Sequence, residues 1–278
     1  MVNQRIATLK KRLLNEIQQP PVTGSLPLYL NGVRSGTLHP SSIALLTRET
    51  SPYAYISRSQ EHIAIELPQL SFEQRSDYFN SLAHHLRDNG LLPYWRDEQV
   101  NVWQGAQLLA HIERTATRPL GLLTQAIHMN AWTPDGQLFL SLRAPTKQTD
   151  PNKWDTIAGG LLNAADTLDI GLERETYEEA GVPAEALTHR TDIRSILKVQ
   201  RPLREGFQYE EVLTSDCILA PEVKPQNMDG EVSEIRTFTV SEVIELMEDG
   251  MVTAEAMVVL LDSLEQNIFS QLQQSYTR

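Results

Sequence analysis

Between Gly159 and Val182 the chain reads GGLLNAADTLDIGLERETYEEAGV, which sets Arg174, Glu175, Glu178 and Glu179 on consecutive turns of one predicted helix. At about 100° per residue, Glu178 and Glu179 fall about 60° to one side and 40° to the other of Glu175, so three carboxylates share a narrow strip. Like charges that close destabilise a helix unless a cation lies on them. A hard divalent ion with oxygen ligands is the expected partner.

The residues around the strip extend this chemistry. Gly159 and Gly160 let backbone approach an anion or metal with no side chain in the way, and the Gly160 carbonyl is then available as a ligand. Asp166 and Thr167 read as N-cap and first-turn residues of the acidic helix, and Gly181 as its end. Gly171, inside the helix, costs about 1 kcal/mol relative to Ala and lies on the side of Glu175. A substrate or strand passing close would account for it. Ahead of the glycines, Arg143, Lys147 and Lys153 follow one another in a Pro-containing loop and suit a phosphate clamp. Behind the helix, further acids stand at Glu210, Glu211, Asp229 and Glu231.

Other reactive residue types have plainer readings. His84 and His85 have no partner ligand spaced near them and read as surface or partly buried polar groups. Cys217 is the one cysteine, sits in a strand-like run and reads as a core thiol with no internal disulfide.

These groups need elements to hold them. Residues 2–18 place Ile6, Leu9, Leu13, Leu14 and Ile17 at helical spacing, and Pro20-Pro21 ends that helix. Residues 26–38 read as two strands about an Asn31-Gly32 turn. A short helix over 41–46, a strand over 63–67, a Ser71-capped helix to about 88 and a strand near 101–103 complete the front half. Polar and small residues at 114–119 mark a boundary. It divides the chain into an N-terminal α+β domain over 1–118 and a second domain over 119–278. In the second, strands are expected over 122–132, 138–142, 192–199, 208–219 and 234–239. A Ser241-capped helix and a last helix over 253–273 follow. Interleaved strands and helices suggest an α/β/α sandwich around a mixed sheet.

The chain has 278 residues and a formal net charge of −12. Residues 1–118 carry +2 and residues 119–278 carry −14. A net-negative protein is a poor partner for nucleic acid or an anionic membrane, so an anionic substrate calls for a local bridge of metal and basic residues. The N-terminus lacks a secretory apolar core and no apolar run of membrane-spanning length occurs, so a soluble cytoplasmic protein is expected.

Counted from Gly160, the positions of Arg174, Glu175, Glu178, Glu179 and Gly181 resemble the Nudix box, G-x5-E-x7-R-E-U-x-E-E-x-G-U with U apolar. Asp166 stands where the pattern has Glu, one methylene shorter in its reach toward Arg174, and Thr176 stands at an apolar position. Further segments, among them Arg143-Ala-Pro-Thr-Lys147, Trp154-Asp-Thr-Ile-Ala-Gly-Gly160 and Met228-Asp-Gly-Glu-Val232, look like the Nudix branch related to the C-terminal part of fungal thiamine pyrophosphokinase and its plant chloroplast relatives. Leu28-Tyr-Leu-Asn-Gly-Val33 and Tyr94-Trp-Arg-Asp-Glu98 are similar to the domain of unknown function that precedes Nudix in that branch.

The resemblance implies the Nudix fold and a Mg²⁺- or Mn²⁺-dependent pyrophosphohydrolase acting on a small-molecule diphosphate. The candidates are a nucleoside diphosphate derivative or a damaged thiamine diphosphate. In that reading Glu175 and Glu179 are the main metal ligands, Glu178 is a further ligand or the base, and the Gly160 carbonyl completes the shell. Arg174 orients Glu175, Glu231 is a candidate base, and Gly159, Arg143 and Lys147 meet the substrate. The N-terminal domain either shapes the pocket through Tyr94, Trp95 or Trp103 or builds a homodimer. The alternative is a Nudix-fold module that binds a ligand and regulates a partner without chemistry.

Overall fold

The computed structural model describes residues 2–47, 54–147 and 149–276. Helix α1 (Val2–Ile17) leads into the Asn31-Gly32 hairpin of β1 (Leu26–Leu30) and β2 (Val33–Leu38). Both turn residues take positive φ, 44° and 77°, as a tight hairpin turn requires. Then come α2 (Pro40–Leu46), β3 (Tyr55–Arg58), β4 (Ile63–Glu66) and α3 (Phe72–Asp88), whose N-terminus carries a reciprocal capping box between Ser71 and Gln74. A second hairpin, β5 (Gln99–Gln104) and β6 (Gln107–Glu113), leads to the short α4 (Thr117–Leu120). The sheet order β2-β1-β4-β3, the β5-β6 pair and α3 enclose one core that includes Leu30, Ile65, Phe79, Leu82 and Val102.

The second half continues with β7 (Leu123–Trp132), β8 (Leu138–Arg143), β9 (Trp154–Asp155), β10 (Ala158–Leu161), α5 (Leu168–Ala180), β11 (Arg194–Leu203), β12 (Gly206–Ile218) and β13 (Val232–Phe238). Helices α6 (Val240–Glu248), α7 (Ala254–Glu265) and α8 (Ile268–Tyr276) close it. The sheet order is β11-β12-β7-β8-β13, with β10 on β7 and β9 on β8. The β12–β7 pair is parallel and its neighbours are antiparallel. Alternate residues of β7 face opposite layers: Ile127, Met129 and Ala131 pack with Leu172 of α5, while Trp132 packs with α7 and α6. The result is the expected α/β/α sandwich on a mixed sheet.

Several boundaries differ from the sequence expectation. The apolar stripe of α1, Ile6, Leu9, Leu13 and Ile17, packs against Val258, Leu260 and Leu261 rather than within the N-terminal core. Gln19 N–H then donates to the Gln200 carbonyl of β11 at 2.7 Å. Helix α1 thus shares the core of the second half although it precedes residue 118. Thr239 caps α6 in place of Ser241, because Thr239 and Glu242 satisfy each other's backbone N–H groups. The last helix is two helices, broken where Asn267 takes φ 53°. No helix among the described residues is long and apolar enough to cross a membrane.

The two halves meet on bare backbone. Gly121, at φ 57°, would place a Cβ 2.1 Å from the Thr37 carbonyl oxygen of β2. Ala there would combine left-handed strain with a collision against backbone that cannot rotate away. Gly121→Ala is expected to destabilise the chain by more than about 2 kcal/mol, read as a lowered urea midpoint at unchanged m.

Candidate active site

Thr167 caps α5, its hydroxyl accepting the Ile170 N–H at 3.3 Å, and Gly181 at φ 63° ends it. Gly159 and Gly160 lie in strand β10, not in a loop, paired with His128 and Ile127 of β7. Successive strand positions face opposite sides, and the glycines serve both. A Cβ on Gly160 would meet the Glu175 carboxylate at 2.4–2.6 Å, and one on Gly159 would meet His128 Nδ1 at 2.3 Å. Gly171 answers to neither a substrate nor a strand: its absent Cβ makes room for Leu162, 2.3 Å away, just past the end of β10.

Arg174 is the hub of the acidic helix. Its Nε and Nη2 donate to Asp166 Oδ2 at 2.9 and 2.8 Å, and its Nη1 donates to Glu175 Oε1 at 2.9 Å and Glu178 Oε2 at 3.0 Å. Asp166 thus reaches Arg174 despite its missing methylene. Thr176 is buried at its apolar position because its hydroxyl donates back to the Leu172 carbonyl at 2.6 Å. The cation expected over the strip is in part this guanidinium. Glu178 remains 49 % exposed, whereas Glu175 is 14 % exposed and burial raises its pKa against the pull of Arg174.

Glu179 differs from both. It points toward the sheet and accepts the Gly159 N–H at 2.9 Å. Burial pushes its pKa up to about 8; the Gly159 hydrogen bond opposes this, and the charges of Glu175 and Asp155 add to it. No ion pair holds it among the described residues. Glu179, Asp229 and Glu231 each offer a carboxylate oxygen within 4.8 Å of the others, so the group that could hold a metal includes two loop acids beside the helix. Asp229 accepts the Glu231 N–H at 2.8 Å, and Lys147 hydrogen-bonds the Glu231 carboxylate. Burial alone would raise Glu231, but that bond and the Lys147 charge hold it below the ordinary carboxylate range.

The other candidates are distributed unevenly. Arg143 donates to Asp155 Oδ2 at 3.0 Å and to the Thr149 carbonyl, and it lines the cleft with Lys147. Lys153 pairs with Asp150 at 2.7 Å and does not line it. Glu210 is buried on β12 and Glu211 bonds Gln125 and Ser195, so neither joins the Glu179 group. Cys217 is fully buried and burial raises its pKa. His84 stacks on Trp95 at 4.6 Å.

Beside the acids runs a cleft made of two joined cavities, 490 and 310 Å³, which share Arg114, Arg118, Arg143 and Thr149. The N-terminal half supplies Tyr94, Arg96 and Arg114 to its wall, while Trp95 and Trp103 do not line it. Arg96 lies over the Tyr94 ring at 5.4 Å, and its N–H donates to the buried Glu113 carboxylate at 3.0 Å. Its guanidinium makes no ion pair among the described residues. Sequence spacing missed Arg96, Arg114, Arg118, Arg201 and Arg204 as cleft residues. Only the fold gathers cations this far apart in the chain.

Comparison with known proteins places this geometry. The NUDIX domain model matches residues 124–259, the span that holds β7, the two glycines, α5 and the loop acids. Over that span the chain is similar to a NUDIX domain. The chain is 30 % identical over 188 residues to Nudix hydrolase 24, chloroplastic, of Arabidopsis thaliana, a match covering 66 % of this chain and 51 % of that protein. It is 25 % identical over 214 residues to an uncharacterized Saccharomyces cerevisiae protein, covering 69 % and 62 %. The chain thus spans between half and two thirds of these relatives. A crystal structure from Deinococcus radiodurans is similar with TM-score 0.46 at 18 % identity, covering 60 % of this chain and 98 % of that one.

Proposed function

We propose that the protein hydrolyses a diphosphate linkage in a small molecule, with a divalent ion, Mg²⁺ or Mn²⁺, held at Glu179. The observation that carries this reading is a part-buried carboxylate with no ion pair among the described residues, beside two loop acids and at the edge of an Arg-lined cleft. The donor set is all oxygen and fits a hard ion. Glu175, Glu179 and the Gly160 carbonyl supply ligands from the sheet and α5, with Glu231 and Asp229 facing them. When bound, the ion neutralises diphosphate oxygens and lowers the pKa of water.

The protein's own groups do the rest. Arg174 holds Glu175 in place from behind. Glu178, half-exposed and bound to the same guanidinium, steadies Arg174. Arg143, Lys147 and Arg114 surround the diphosphate with charge-assisted donors, and Arg96 lies farther out along the wall. Glu231, ionised at neutral pH, accepts the proton of the attacking water once Lys147 turns from it to the substrate.

Release of monophosphate products is the test, across a panel of intact and oxidised thiamine diphosphate, ADP-ribose and nucleoside diphosphates. The reading expects metal-dependent turnover of at least one, abolished by EDTA. Tight binding without turnover under both metals would favour a non-catalytic ligand-binding module. Within this reading, Arg96→Gln is expected to raise KM about tenfold with kcat nearly unchanged, because the residue meets only the outer end of the substrate. Steady-state kinetics on the best panel member checks this.

A further inference from the structure

The inner end of the cleft is chemically unlike its mouth. His128 of β7, Gln208 and Glu210 of β12, and Glu255 in the first turn of α7 line it. One amide holds the two acids: Gln208 Nε2 donates to Glu210 Oε1 at 2.9 Å and to Glu255 Oε1 at 3.1 Å. Thr124 donates to Glu210 Oε2 at 3.2 Å, and Arg201 donates to Glu255 at 2.8 Å and to Gln208 Oε1 at 2.7 Å. The Gln208 amide, the Thr124 hydroxyl and the Arg201 guanidinium are all engaged within this network.

His128 adds a free acceptor. Its ring is buried, and burial lowers its pKa, so it is neutral with one N–H. Thr156 Oγ1 lies 3.1 Å from His128 Nδ1, 3.0 Å from the Ala158 carbonyl and 3.5 Å from Asp155 Oδ1. With the hydroxyl proton assigned to the Ala158 carbonyl, which can only accept, Thr156 accepts from Nδ1–H. In that tautomer Nε2 is a bare lone pair, buried and without a hydrogen-bond partner among the described residues. Leaving a buried acceptor unpaired is costly, and a ligand donor would relieve it.

We propose that this inner end is the subsite for the non-reacting part of the substrate, and that it takes a nitrogen heterocycle presenting N–H donors to His128 Nε2 and the Glu255 and Glu210 carboxylates. The inference rests on the cleft being a diphosphate site. Donor-free alkyl diphosphates would leave His128 Nε2 unpaired, so the subsite discriminates by the asymmetry of unmade hydrogen bonds.

Calorimetric titration of the full chain in EDTA tests it. The probes are ADP-ribose, which carries an amine, and UDP-glucose, which carries a ring N–H, each beside its counterpart with every such N–H removed, by dimethylation of the amine and by methylation of the ring nitrogen. At least one parent should bind about tenfold more tightly than its capped form. His128→Leu and, on the more accessible rim, Glu255→Ala should each compress that ratio to within about twofold at unchanged circular dichroism. Equal affinity for parent and capped forms in the wild type, absence of binding by both parents, or a ratio untouched in both variants would overturn the subsite. Turnover is read separately with metal. Donor preference without turnover sinks only the hydrolase reading, and turnover without preference sinks only the subsite.

Discussion

Glu179→Gln is expected to eliminate turnover, a loss above about a thousandfold, while raising the thermal stability of the metal-free protein at pH 8. The two effects have one cause. Glu179 has a folded pKa of about 8, against an ordinary carboxylate value in the unfolded chain, because burial opposes its charge. Between those values the folded state binds more protons than the unfolded state, so stability falls as pH rises. The contribution of this group is complete below the unfolded pKa and is lost by about pH 8. Gln cannot ionise and removes that slope. The melting temperature of the wild type in EDTA should fall from pH 5 to pH 8 more steeply than that of the variant. Mg²⁺ or Mn²⁺ should restore the wild type at pH 8 and leave the variant unmoved.

Arg174→Ala carries the second large effect. One guanidinium serves Asp166, Glu175 and Glu178, and Asp166 and Glu175 are only 11 % and 14 % exposed on their side chains. Removing it leaves two part-buried carboxylates facing each other's helix without a cation, a loss of about 3 kcal/mol. The Glu175 carboxyl, already raised by burial, would then rise further, so the deficit relative to wild type should grow from pH 4 toward pH 8. Arg174→Lys should recover less than half, because one ammonium cannot bind Asp166 through two N–H groups and reach two other acids as well. Urea unfolding at several pH values reads both outcomes. A deficit independent of pH would mean that Arg174 acts through packing alone.

What the sequence disclosed is what depends on neighbours along the chain. The Asn31-Gly32 turn, the Ser71 cap and the helix from Leu168 to Ala180 follow from local geometry, and all three are where the residue types place them. The stripe on α1 shows that a face is buried, but amphipathicity carries no address, and its partner is α7 some 250 residues away. Gly159 and Gly160 look like loop residues until the sheet shows what lies within 3 Å on either side of them. The hairpin partner β6 went unread although Gly105 marks its turn at φ 60°, and the break at Asn267 carries no Gly or Pro to mark it.

The site divides the same way. Arg174 with Glu175, Glu178 and Glu179 was legible because an α-helix fixes their separations in advance. The distinction among the acids was not, since it is burial that leaves Glu179 without a counter-charge while Arg174 holds the other two. The cleft was illegible for a further reason. Arg96, Arg114, Arg143 and Arg201 belong to four separate segments, and their common direction exists only once the two halves are joined at Gly121.

Anomalous diffraction from crystals soaked in Mn²⁺ tests the account at its centre. The account predicts a manganese peak about 2 Å from the Glu179 carboxylate, shared with Glu175 or with the Asp229 and Glu231 loop, and its absence in Glu179→Gln crystals. A peak that avoids Glu179, or none at saturating Mn²⁺, would contradict it.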